Sequence, residues 1–162
     1  MIPSIDDRLA SIIRSLTHVV LPSFGPEAGI AKEQVGMAVR HLQVIRAQLD
    51  SAPAYELEEL HDARALASAL LEVEGGGART DAALTTLRDA LRSDSPGDSP
   101  RELRVRLNCA IDHVIRASAA DGSQAYREYL ARTVLRLESV RTYKDRKWFA
   151  LLGFDAQMQG DQ

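Results

Sequence analysis

Apolar residues return every three or four positions from Ile5 to Val140, and this periodicity constrains the fold of the 162-residue chain more than any other feature. No run alternates in the way of a half-buried strand, so the sequence predicts an all-α protein. Six helices follow from the pattern. The first carries Ile5, Leu9, Ile12, Ile13, Leu16, Val19 and Val20 on one stripe and is expected to stop before Pro22, because the residue ahead of a proline avoids the helical region. The second runs from about Pro26 to Leu49 and has two apolar faces. Val35, Ala38, Leu42, Ile45 and Leu49 form one, and Ile30, Met37 and Val44 lie on the other. Two such faces predict neighbours on both sides.

Pro53 opens the third helix, where a missing N–H costs little, and Glu56, Glu58 and Glu59 sit where the helix dipole favours negative charge. Gly75, Gly76 and Gly77 are expected to end it, and Thr80 or Asp81 to cap a short fourth helix through Leu84, Leu87 and Leu91. Ser99-Pro100-Arg101-Glu102 is a capping box with proline at the first helical position. The fifth helix that it starts buries Leu103, Leu107, Ala110, Ile111 and Val114. Gly122 interrupts the pattern before a sixth helix with Tyr126, Leu130, Val134, Leu137 and Val140. Short links make consecutive helices antiparallel, so an up-and-down helical bundle is expected, one domain over 1–155 with a polar tail over 156–162 that frays.

Composition narrows the function classes. One cysteine excludes an internal disulfide framework and a multi-cysteine zinc site. Aromatic residues make up 5% of the chain, too few for base-stacking platforms, and a net charge of −3 argues against a nucleic-acid partner. No stretch reaches the 18 or more continuous apolar residues of a membrane span, and the acidic start is unlike a secretory signal. A cytoplasmic protein is expected. The charge is uneven: residues 1–100 carry net −6 and residues 101–147 net +5, so acidic early helices can face basic late ones within a chain or between two.

Few residues form a chemical constellation. Glu58-x-x-His61 is half of a di-iron bundle motif, which needs two such units and two more carboxylates. His41, His61, Asp62 and Asp112 follow the residue order of the metal set in all-α HD-type phosphohydrolases, and they form the alternative, enzymatic reading alongside a small-ligand-binding bundle. Histidines at core edges with a hydrogen-bond partner explain the same residues without a metal. Cys109, beside Ala110, reads as a small buried hydrophobe, with His113 four residues on. Near the C-terminus Arg141, Lys144, Arg146 and Lys147 lie beside Trp148, Phe149 and Phe154, the expected interaction surface. There the aromatic cluster needs a core or a partner to cover it.

Arg-Leu-Ala-Ser-Ile-Ile…Val-Val-Leu-Pro near the start, His-Leu-Gln-Val-Ile-Arg at the end of the second helix and Asp-Arg-Lys-Trp-Phe…Gly-Phe-Asp near the close resemble a group of small bacterial all-helical proteins. That group is associated with aminoglycoside-phosphotransferase-like kinases and acyl-CoA dehydrogenases. The resemblance implies an accessory role in acyl or small-alcohol metabolism, without catalytic residues to carry over. The leading expectation is thus a non-catalytic, cofactor-free module that forms a homo-oligomer or docks on a partner enzyme.

Overall fold

A computed structural model describes residues 2–93 and 97–149. Among these residues it contains six helices and no strand: α1 (Ile5–Ser15), α2 (Gly29–Gln48), α3 (Ala52–Leu70), α4 (Ala78–Arg92), α5 (Pro100–Asp121) and α6 (Gln124–Phe149). The expected all-α architecture is present. The chain divides into two compact units where a single domain over 1–155 was expected. One is the chain to Ala52 together with its end from Asp145, and the other is Pro53–Lys144. The fraying expected over 156–162 lies outside the described residues.

The larger unit is a four-helix bundle. Leu66 and Leu70 of α3, Leu84 and Leu87 of α4, Leu107, Ile111 and Val114 of α5, and Tyr126 and Leu130 of α6 share one core. Its cross-links set the helix directions. Tyr126 at the start of α6 donates its hydroxyl to the Leu70 carbonyl at the end of α3 (3.1 Å), and Arg141 near the far end of α6 reaches Glu59 near the start of α3. These two helices are therefore antiparallel. Asp121 at the end of α5 meets the start of α4, which makes those two antiparallel as well. Arg104, early in α5, joins Glu59, early in α3, so α3 and α5 are parallel and the order is up-down-up-down.

The smaller unit holds α1 and α2 with the last turn of α6. Ser4 starts α1 through a capping box with Asp7. The helix does not stop before Pro22 as expected. It widens into a π-helical stretch, Leu16–Val20, and a further α-turn, Leu21–Ser23. In an ordinary α-turn the proline ring would press on the carbonyl four residues back, and a wider turn separates the two. The Asp6 carboxylate accepts from Arg46 at 2.5 and 2.9 Å, which sets α1 and α2 antiparallel. No residue of α1 is fully buried, and α2 buries only Val39 and Val44.

Two local expectations are corrected. The third helix ends at Leu70 and not at the glycine triplet, which instead makes the close link into α4; Gly76 there has φ +78°, a conformation that favours glycine. Neither Thr80 nor Asp81 caps α4. Gly77 stands at the cap position, and a carboxylate from another helix does the work: Asp121 accepts from the Arg79 N–H (2.7 Å), the Thr80 N–H (3.0 Å) and the Thr80 hydroxyl (2.7 Å). Thr80 hydrogen bonding, then the Arg79 amide, holds the Asp121 carboxyl below its ordinary range. A side chain 41 positions away supplies what local sequence does not.

Asp121→Ala is expected to lower the melting temperature more than Asp112→Ala, since Asp112 makes only an exposed pair with Arg116 on its own helix. Thermal denaturation of the two variants side by side checks this ordering. Tyr126→Phe removes a buried hydroxyl with one partner and should cost about 1 kcal/mol in urea denaturation. Burial, and then Tyr129, pushes the Tyr126 phenol up to about 12. Because the fold favours the neutral phenol, its contribution is present below the ordinary value of 10.0 and is lost as pH rises towards about 12, a loss that Tyr126→Phe should lack.

Candidate functional site

At one end of the four-helix bundle the core stripes of three helices turn from apolar to charged. Glu59 is in register with Ala63, Leu66 and Leu70 on α3, at i, i+4, i+7 and i+11, and is 2% exposed. Arg104 continues the Leu107, Ile111, Val114 stripe of α5 by one turn, and Arg141 and Lys144 continue the Leu130, Val134, Leu137 stripe of α6. The four side chains therefore meet where the periodicity says they must. Glu59 Oε2 accepts from Arg104 Nη1 (3.1 Å) and from Arg141 Nε (3.1 Å) and Nη2 (2.9 Å). Lys144 Nζ lies 2.8 Å from Glu59 Oε1, bonds Asp62 as well, and stands 5.5 Å from the centre of the Tyr55 ring.

The electrostatics favour ionised partners throughout. Burial by itself would raise the Glu59 pKa, but Lys144 and Arg141 together outweigh it, and the carboxyl lies below its ordinary range. Burial likewise works against the Lys144 ammonium, yet Asp62 and Glu59 leave its pKa raised. Glu56 and Glu138 add weaker contacts to Arg104 and Arg141, both at 3.4 Å, so the cluster's positive charge is matched by carboxylates. A cavity of about 60 Å³ beside it is lined by Asp62, Leu66, Asn108 and Arg141 among others. That is room for a few waters at most, well short of the roughly 300 Å³ at which small-molecule sites begin. Chemically this is an internal clamp between α3, α5 and α6.

The residues of the metal reading do not come together. His61 is exposed, Asp62 is held by Lys144, and Asp112 faces outward beside Arg116. His41 is exposed on α2, and among the described residues no three His, Cys, Asp or Glu side chains group as a metal-ion site requires. Glu58 is exposed too, and its neighbour Glu59 takes the buried position. Cys109 is a further correction: it is exposed, because at 100° per residue it falls on the side of α5 away from Leu107, Ala110 and Val114. Of the expected interaction residues, Arg141 and Lys144 turn inward to Glu59, which takes them out of an open basic patch. Lys147 is exposed, Trp148 is half-buried with its carbonyl accepting from Gln48 Nε2 at 2.8 Å, and Phe149 is 46% exposed. Phe154 lies outside the described residues.

A second feature belongs to the α1–α2 pair. Ile5, Ile12 and Val19 repeat every seven residues on α1, and Ile30, Met37 and Ile45 follow at seven and eight on α2; all six are between 37% and 80% exposed. In the register set by Asp6 and Arg46, Ile5 stands level with Ile45, Ile12 with Met37 and Val19 with Ile30, each to within about 3 Å. On α1 the half-buried stripe Leu9, Ile13, Leu16 has Asp6 to one side and Ile5 and Ile12 to the other. On α2 the half-buried Val35 and Leu42 likewise separate Arg46 from Ile30 and Met37. Since the Asp6–Arg46 bond brings the ionic edges of two antiparallel helices together, the apolar edges share the opposite face. The sequence reading found the two faces of α2 but treated α1 as one-sided.

No family model, curated protein or solved structure matches this chain.

Glu59→Gln leaves three cations around a neutral amide and should cost about 2–3 kcal/mol, the lower part of the range for breaking a buried pair because Arg141 and Lys144 can turn to water. The folded carboxyl lies below its ordinary 4.5, so its contribution is complete above that pH and is lost as pH falls through the folded value. Urea titrations of wild type and Glu59→Gln between pH 7 and pH 3 should therefore converge towards the acid end.

Proposed function

We propose that this chain is a non-catalytic helical interaction module, one that associates with itself or docks on a partner enzyme. The observation that carries the reading is the three-rung apolar face of α1 and α2. Exposed apolar side chains scattered singly are ordinary on soluble proteins, whereas six in matched register form a contiguous patch of the kind used in association. The charged cluster supports it from the other direction, since its cations are engaged with carboxylates of the same bundle. The resemblance noted in the sequence makes a kinase or an acyl-CoA dehydrogenase the kind of enzyme on which such a module would dock. Its single cysteine, exposed on α5, suits a reducing cytoplasm.

Sedimentation velocity tests this. The weight-average coefficient should rise with concentration for the chain alone, or a discrete complex should form when a candidate partner enzyme is added. A chain that stays monomeric from micromolar to near-millimolar concentration, and forms no complex with such an enzyme, would overturn the reading.

A further inference from the structure

We propose that the occupant of the α1–α2 apolar face is the same face of a second copy of this chain, so that two helical hairpins close into an intermolecular four-helix bundle. This rests on the interaction-module reading and goes further by naming the surface and the partner. Three observations point to a second copy. The spacing comes first: a seven-residue apolar repeat is the pattern by which one helix seats its side chains between those of another, and both helices of the hairpin carry it outward. A two-helix hairpin cannot bury a second stripe by itself, and two hairpins face to face bury all four.

Area is the second. Each rung residue would remove roughly 100 Å² from water on burial, giving on the order of 600 Å² of apolar surface per copy, to which Ile2, 94% exposed, adds more. A stable interface needs about 800 Å² per partner with its polar rim included, and isologous two-fold pairing is the commonest way for soluble chains to supply it. The third is charge. Residues 1–51 carry five acidic and five basic side chains, a net charge of zero, so two copies approach without long-range repulsion. A dedicated partner of strong charge would call for a rim of the opposite sign.

The central rung, Ile12 and Met37, lies nearest the two-fold axis, so substitutions there meet their own image. In the full-length chain, Met37→Glu should raise the dimer dissociation constant at least about a hundredfold by sedimentation equilibrium, since like charges would be forced together. Ile30→Glu is the companion variant; at 80% exposure Ile30 makes few contacts within its own chain, so folding is preserved, with circular dichroism as the check. In a Cys109→Ser background, Met37→Cys should form a disulfide between copies under mild oxidation. Dissociation by both charge variants together with the Met37→Cys cross-link supports the proposal. A wild-type dimer that both charge variants leave intact overturns this surface while the interaction reading stands. A monomeric wild type overturns the second copy as occupant, and complex formation with an enzyme then decides the broader reading separately.

Discussion

The Glu59 carboxylate is the interaction on which the larger unit depends. It is almost wholly removed from water and accepts from Arg104 and Arg141, with Lys144 at its other oxygen, so one side chain of α3 ties together α5 and α6. Apolar contact alone is non-directional and would let the helices slide or rotate at modest cost. A buried charge allows far less, because any register that separates it from its partners leaves it without compensation in a poorly polarisable surrounding. The cluster closes one end of the bundle. The Tyr126 and Asp121 contacts close the other, so the helices are held at both ends of the leucine-rich core.

The smaller unit is built on a different balance. Its helices carry apolar residues on more than one side, and a pair of helices has only one mutual face to cover. What holds them is a half-buried seam and the Asp6–Arg46 bond at its edge. The π-helical stretch ahead of Pro22 lets α1 run its full length, which places Val19 level with Ile30. The extra apolar edge is thus a product of register as much as of composition.

Much of the candidate chemistry in the sequence dissolves for a geometric reason. His61 and Asp112 satisfy a residue order, but at 100° per residue they lie on the outer sides of α3 and α5, away from the core stripes. Cys109 fails the same test on α5. Arg141 and Lys144 look like part of a surface patch because basic residues crowd the end of α6. Their spacing of seven and four from Val134 and Leu137 nevertheless keeps them on the inner stripe, where an acid from α3 was waiting in the same register.

The sequence by itself determined the helices, their number and their order, since periodicity, capping residues and glycine breaks act within a few residues of chain. The Ser99–Glu102 capping box is an instance, present in the structure as read. It also contained, unread, the position of Glu59 on a leucine stripe, a signal visible from spacing alone. Only the tertiary structure decided which cations neutralise that acid, that α4 is capped by Asp121 from the end of α5, and that the exposed edges of α1 and α2 lie level on one face. Each of these joins residues about 40 to 82 positions apart, and spacing along one helix cannot report which side of another helix will stand opposite it.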